Sequence, residues 1–480
     1  MINTIKEKWS KIPLTVKVST SYAVCSILQN CLAFITVPLF TRLLTTEQYG
    51  QFTIYSSWSG ILMIFITLNL AYGSFSAAMI KYENRRDEYI TAIQGICLLL
   101  TGIFFLLYFP FRNLWNRLFE LPTLLVCLMV IEILFTNATN MWMGKNRFEF
   151  KYKKVVMLSF AMSSISPTLS YVLVINSVEK GYARIIGSAL VNISIGFVIF
   201  VISTKRGRKL YDKEFWKYAL EFNIPLIVYY LAQVIFNQSD RIMISHMTGT
   251  DNAAMYGVAY NLAMVLTFVL NAINGSYVPW VYAKIKNGDG EENKPVSIVL
   301  VLLISLMILC VIWYAPEIII IMAGKQYAAA IYVVAPVSMS LLLLFYSQLF
   351  INVEFYYEEN KMLVYASIGA AVLNIVLNYI LIPVFGFVAA GYTTLVSYIV
   401  FALSNYYAMQ MVLKNRNLPD NLYDYRKLLL LFLTFVFVGF LGVALYSWFI
   451  LRMIITIFIL VLIILNKNKF LDTIEIIKRG

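Results

Sequence analysis

The chain alternates long apolar runs with short polar breaks from one end to the other. Apolar runs fall near 18–41, 51–74, 91–109, 121–143, 155–176, 183–203, 218–240, 253–282, 296–322, 328–353, 361–383, 387–412, 428–447 and 450–466. Each approaches or exceeds the roughly 20 residues that a helix needs to cross the hydrocarbon core of a bilayer. Backbone groups in lipid have no water to bond, so each run must satisfy them internally as an α-helix. The pattern predicts an all-α polytopic membrane protein with about 14 transmembrane helices. The breaks are all short, 204–217 on one side and 109–121 on the other being typical of the longer ones, so neither side carries a soluble domain.

Fourteen spans would put both ends on one side. With the N-terminus inside, the inner segments hold 30 of the 38 Lys and Arg residues and the outer segments hold 8. Basic residues are retained in cytoplasmic loops, so this asymmetry predicts an N-in, C-in orientation. Composition agrees: 60% of the 480 residues are hydrophobic and 13% charged, against about 45–50% and about 25% in soluble domains. The net charge of +13 then belongs to the inner membrane surface and not to nucleic acid. Ile5, Trp9 and Ile12 share a helical face, with Lys6, Lys8 and Lys11 between them. Residues 1–17 thus read as an interfacial amphipathic segment that touches membrane lipids. No cleavable signal peptide is expected, since a full-length span follows directly.

Several chemistries are excluded. The five cysteines, Cys25, Cys31, Cys97, Cys127 and Cys310, lie in apolar runs without a C-x-x-C pair. An odd number in that setting signals neither a disulfide framework nor zinc. His246 is the single histidine, so no metal site is expected. Gly144-Lys145-Asn146 lacks the glycine loop of an ATP site. Gly288-Asp289-Gly290-Glu291-Glu292 lacks the spacing of a calcium loop. No cofactor is expected, and any driving force would come from an H+ or Na+ gradient or from consumption of product.

An internal repeat is visible. The first run ends in T-R-L-L-T-T-E-Q-Y-G at 41–50, and the seventh in Asp240-Arg241-Ile242-Met243-Ile244, then Gly249 and Tyr256-Gly257. Each places an Arg near the outer helix end, then a short polar loop, then Tyr-Gly opening the next span. A parallel repeat of six plus six helices follows, with two helices added. The expected divisions are an N-lobe at 18–203, a linker at 204–217, a C-lobe at 218–412, and the last two helices with a tail at 413–480.

At these residues the sequence resembles the bacterial polysaccharide repeat-unit flippases of the multidrug/oligosaccharidyl-lipid/polysaccharide exporter superfamily. The 41–50 motif and the Asp240-Arg241-x-x-Ile244 segment carry the resemblance at the two helix ends. Three further stretches agree: Gly324-x-x-Tyr327-x-x-Ala330, Leu373-Asn374-x-x-x-Asn378-x-x-x-Ile382-Pro383-x-x-Gly386, and Ala389-Ala390-Gly391-x-x-Thr394-x-x-Ser397. In the last the family more often reads Gly-Ala-Ala, so the glycine here is displaced by two positions. The resemblance implies two pseudo-symmetric six-helix lobes around a central cavity in a bacterial inner membrane. It implies movement of an undecaprenyl-diphosphate-linked oligosaccharide between leaflets for O-antigen, capsule or a related glycan. A polysaccharide polymerase and chain-length proteins are the partners it suggests.

Such a head group needs cations for its diphosphate, and amides, hydroxyls and aromatic faces for its sugars. Polar stripes at helical spacing supply candidates: Asn30 in the first span, Glu132 and Asn140 in the fourth, and Tyr229, Gln233, Asn237 and Asp240 in the seventh. Asn271 and Asn274 follow in the eighth, Asn352 in the tenth, and Asn374 and Asn378 in the eleventh. The competing role for each amide is a helix–helix hydrogen bond, worth about 0.6 kcal/mol on average in membranes. Glu132 stands mid-span, where a charge is costly, so it is a candidate for binding hydroxyls or a coupling proton. The alternative is a structural carboxyl bonded to Asn140 or a neighbouring helix. Glu354 is expected at the inner interface, beside Glu358 and Glu359.

Arg42 and Arg241 are phosphate candidates by their bidentate geometry, or anchors at the head-group level. Lys145 and Arg147 stand where an anion would approach from the inner side, or serve only in orientation. Pro167, Pro225, Pro279, Pro316 and Pro336 are expected helix breaks. Three rivals share the membrane setting, and one of them, a peptidoglycan-precursor flippase, should have more intramembrane Arg than this chain has. A drug/cation antiporter of the same superfamily would favour a small apolar cavity with carboxylates. A membrane-embedded polymerase or glycosyltransferase would need a large loop, which this chain lacks.

Overall fold

A computed structural model describes residues 14–359 and 361–465. The interfacial segment expected over 1–17, its last four residues excepted, and the tail from 466 onward lie outside them. The chain divides into two compact units, Met1–Ile242 and Met243–Gly480. The first contains α1 (Leu14–Leu43), α2 (Thr46–Thr67), α3 (Phe75–Lys81), α4 (Arg86–Tyr108), α5 (Arg112–Phe119), α6 (Thr123–Phe148), α7 (Tyr152–Ile175), α8 (Lys180–Gly207) and α9 (Lys213–Asn223). The division falls inside α10 (Ile227–Thr248). The second unit continues with α11 (Thr250–Asn287), α12 (Asn293–Trp313), α13 (Ala315–Ala323), α14 (Ile331–Tyr356), α15 (Lys361–Phe385), α16 (Val388–Asn415), α17 (Tyr425–Ala444) and α18 (Phe449–Leu465). No strand occurs among the described residues.

Among the described residues twelve stretches are long and apolar enough to cross a membrane, so this is a multi-pass membrane protein. The other two expected runs correspond to α2 and α18. In α2, Gln48, Gln51, Thr53, Ser56, Ser57 and Ser59 lower the hydropathy of its first half. In α18, Phe449–Phe458 forms a shorter apolar helix.

Local chemistry moves several boundaries. The second run was expected from 51, but α2 begins at Thr46 because Thr45 and Gln48 form a capping box. The Thr45 hydroxyl accepts from the Gln48 amide at 3.2 Å, and the Gln48 side chain accepts from the Thr45 amide at 3.2 Å. The T-T-E-Q part of the 41–50 motif is thus a helix start. The run at 296–322 is divided at Tyr314, where Pro316 opens α13 in the first turn, the one place a helix tolerates it. Pro225 likewise falls in a 3-10 turn between α9 and α10. Pro167, Pro279 and Pro336 do not break their helices: α7, α11 and α14 run through them. Neighbouring helices re-satisfy the freed backbone groups in membrane bundles. The 204–217 linker shrinks to a turn, since α8 extends to Gly207 and α9 starts at Lys213, capped by Asp212.

Each unit is organised on one helix. In the first, α8 packs against α6, α7, α4 and α2. Two glycines allow this approach. A Cβ on Gly187 would lie 2.5 Å from the Ser170 Cα, and one on Gly196 would lie 2.4 Å from the Phe135 carbonyl oxygen. Small residues let membrane helices come close, where van der Waals packing replaces the missing hydrophobic drive. In the second unit, α14 packs against α16, α11, α12 and α17. From Val333 to Leu343 every residue of α14 is buried, as expected of a helix apolar on all sides.

Candidate functional site

The centre of the first unit is built on Glu132. The apolar periodicity of α6 turns Met129, Val130 and Ile133 into the core and leaves Glu132 half-buried beside them. The Tyr55 hydroxyl of α2 donates to its Oε2 at 2.5 Å, and the Asn192 side-chain amide of α8 donates to its Oε1 at 2.7 Å. The carboxyl therefore ties three helices, and its partners are Tyr55 and Asn192 instead of Asn140. A carboxylate offers about four acceptor positions, so two bonds leave capacity for a further donor. Neither partner was recognisable beforehand. Asn192 is an isolated amide in an apolar run and Tyr55 one tyrosine among 33.

At the C-terminal end of α6 a charged cluster forms. Lys145 is buried and donates to Asp87 Oδ1 at 2.6 Å, with Glu149 Oε1 at 3.4 Å. Glu149 also accepts from Lys151. Burial raises the Glu149 carboxyl, but Lys151 and Lys145 outweigh it and hold the group below its usual value. Lys145 is thus a neutralised cation joining α6 to α4. Arg147 is exposed and sits 5.6 Å from the Tyr22 ring of α1. Asn30, on α1, is half-exposed, as is Asn140 on α6, and Arg42 is exposed in the last turn of α1.

The α10 candidates follow one face. Asn237 donates to the Gln233 carbonyl at 2.7 Å, an i to i−4 bond within the helix. Tyr229 lies against Tyr230 with ring centres 5.7 Å apart. Asp240 and Arg241 are buried, and Arg241 donates to the Gln238 side chain at 3.0 Å.

In the second unit Asn352 of α14 donates to Asn274 of α11 at 2.9 Å, while Asn271 is exposed one turn earlier. Asn374 and Asn378 form a buried ladder between α15 and α16. Asn374 donates to the Thr394 hydroxyl at 3.3 Å, Asn378 to Asn374 Oδ1 at 3.2 Å, and Thr393 to Asn378 Oδ1. Both Asn side chains are fully buried, so these bonds join helices.

Two charged residues differ from expectation. Arg452 is one of the eight basic residues that the loop pattern puts on the outer side, yet it is buried and paired with Glu317. Glu354 was expected at an interface. It is 0% exposed, and neither of its oxygens has a hydrogen-bond partner among the described residues. Among the described residues no group of three or more His, Cys, Asp or Glu side chains is placed to hold a metal ion.

Residues 16–284 match the family described as "Polysaccharide biosynthesis protein". The chain belongs to this family. Within the matched residues lie the Thr45–Gln48 capping box and the Glu132 centre. Among curated relatives of this family member, "Lsg locus putative protein 1" of Haemophilus influenzae (strain ATCC 51907 / DSM 11121 / KW20 / Rd) is 21% identical over 371 residues, covering 75% of this chain and 89% of that protein. Among solved structures, the lipid II flippase MurJ in an inward closed conformation superposes with a TM-score of 0.67 at 16% identity, covering 94% of this chain and 99% of that one. An inward-facing multidrug resistance MATE transporter of the MOP superfamily superposes with a TM-score of 0.65 at 13% identity, covering 83% and 98%. The fold is that of these transporters.

Proposed function

We propose that this protein is a transporter that moves undecaprenyl-diphosphate-linked oligosaccharide repeat units from the inner to the outer leaflet of a bacterial inner membrane. The observation that carries the reading is the match of residues 16–284 to the polysaccharide biosynthesis family, on a fold shared with a lipid II flippase over 94% of the chain. Transport proceeds by alternating access, biased by an H+ or Na+ gradient or by consumption of the flipped unit. A polysaccharide polymerase and chain-length proteins receive the product. The head group is held by the residues with free polar capacity: Glu132 accepts sugar hydroxyls at the positions left open by Tyr55 and Asn192. Arg147 meets the diphosphate on the inner side, where the charge asymmetry places it.

The test is deletion of the gene, followed by extraction of lipid-linked oligosaccharides and assay of surface glycan. A complete repeat unit accumulating on its lipid, with loss of surface polysaccharide, supports the reading. Accumulation of an incomplete unit points instead to a membrane enzyme. Unchanged glycans with altered drug sensitivity favour a drug/cation antiporter, which the likeness to a MATE transporter supports.

A further inference from the structure

We propose that Glu354, in the last turn of α14, is a proton-binding site through which the second unit takes up and releases a proton. The site stands on its own geometry, and only the use of the proton, to drive or gate transport, rests on the function proposed above.

Glu354 is fully buried, and among the described residues neither of its carboxyl oxygens has a donor. An ionised carboxylate cannot be kept without water, a cation or a hydrogen bond in such surroundings, so the group holds its proton here. Glu132 shows the contrast: two donors satisfy its carboxyl. Glu354 makes no such bond, and its O–H has no acceptor either. An apolar side chain would fill the same space at lower cost, so what distinguishes this residue is its ability to change charge.

The polar groups on the elements beside it are engaged with other residues or face outward. On α11, Tyr277 donates to Asn293, Tyr282 packs on Tyr356, and Lys284 pairs with Glu292 at 2.9 Å. On α16, Tyr406 packs on Phe350, Lys414 is exposed, and Arg416 pairs with Glu359 at 3.1 Å. In the following loop Asp420 accepts from Gln410 and Tyr425, and Asp424 pairs with Lys427. On its own helix end Tyr357 faces Arg416, and Glu358 is exposed. None of them bonds to Glu354.

The route to water is short. The helix ends at Tyr356, and Phe355 and Glu358 are already exposed. Two contacts lash the end of α14 to the segment after α16. Arg416 donates to the Tyr357 carbonyl at 3.0 Å, and the Tyr423 hydroxyl donates to the Leu349 carbonyl at 2.8 Å. When they part, water reaches Glu354. The carboxylic acid then passes its proton to that water and becomes a carboxylate, which Arg416, released from Glu359, can neutralise. Reprotonation from water reverses the step, and no other reactant is needed.

The experiment is infrared spectroscopy of the full chain in phospholipid bilayers, titrated from neutral to alkaline pH and compared with Glu354→Gln. The expected result is a protonated-carboxyl carbonyl band at neutral pH that fades on alkalinisation and is missing from Glu354→Gln. Glu354→Asp should restore a titrating band at a shifted frequency, which covers the case of a poorly folded amide variant. If the variants carry the same titrating bands as the wild type, the proposal is overturned. Loss of the band on adding sodium at constant pH also overturns it, in favour of a sodium site. The readout needs no cargo. A titrating Glu354 in a protein whose deletion leaves surface glycans unchanged keeps the site and sinks the transport reading.

Discussion

Arg452 and Glu317 face each other through two parallel hydrogen bonds, from the two terminal nitrogens of the guanidinium to the two carboxylate oxygens, at 3.0 and 2.6 Å. Arg452 is 1% exposed and also donates to the Trp313 and Tyr446 carbonyls. It thereby fastens α18 to the break between α12 and α13. Removing one partner of a buried pair leaves the other charge uncompensated, at a cost of about 3–5 kcal/mol. Arg452→Met should lower the melting temperature clearly in detergent, and Glu317→Gln should lower it more, since it strands the fully buried guanidinium whereas Glu317 is the more exposed partner. Equal melting temperatures for the wild type and Arg452→Met would refute the clamp.

The same pair sets a pH dependence. Burial raises the Glu317 carboxyl, but its hydrogen bonds and the Arg452 charge outweigh that and hold it below the usual 4.5. A carboxyl depressed in the folded state contributes stability that is complete above its unfolded pKa and is lost as pH falls through the folded one. Thermal stability should therefore decline below about pH 4.5 in the wild type. That part of the decline should be missing in Glu317→Gln, as differential scanning fluorimetry across acid pH would reveal.

Glu132 joins α2, α6 and α8, so replacing it acts on both structure and transport. Glu132→Leu orphans the Tyr55 and Asn192 donors and should cost about 1–3 kcal/mol. Tyr55→Phe and Asn192→Leu each remove one bond and should cost about 0.6 kcal/mol. If Glu132 binds cargo as proposed, Glu132→Leu will abolish surface glycan at wild-type protein levels, whereas Tyr55→Phe will retain most of it. Equal export by all three variants would leave Glu132 a purely structural residue.

The Asn374–Asn378 ladder with Thr393 and Thr394 works as a unit. Asn374→Leu and Asn378→Leu should each destabilise the fold by about 1 kcal/mol. The double variant should cost less than their sum, because residues in one network couple. A double-mutant cycle on melting temperature measures this, and strict additivity would argue against a shared network.

Gly196 lets α8 approach α6. Gly196→Val places carbon where the Phe135 carbonyl oxygen lies 2.4 Å away, and overpacking costs about 1–3 kcal/mol. Reduced yield of monodisperse protein is expected for this variant. Gly102→Val should behave as wild type, since nothing lies within 4 Å of a Cβ there.

Much of this architecture was legible in one dimension. The apolar runs locate the membrane helices because the bilayer imposes a length and a hydropathy on every segment that crosses it, whatever that segment later touches. The capping box at 45–48 was likewise in plain view, although α2 had been expected five residues later. Its chemistry is confined to four neighbouring residues. The charge asymmetry of the loops, 30 against 8, is a count that needs no contacts at all.

What the sequence by itself determined, then, is what depends on local periodicity: the succession of apolar membrane helices and the all-α membrane class. Tertiary structure alone decided the partners of the polar residues. Glu132 and Glu354 look alike as single carboxyls in apolar helices, yet one receives two donors and the other none. Arg452 reads as a loop cation until Glu317, 135 residues away, closes on it. Pro167 and Pro225 read alike until one lies inside a helix and the other in a turn. The reason is physical. A hydrogen bond or ion pair depends on distance between side chains on different helices, and that distance is set by packing, which no spacing along one helix records.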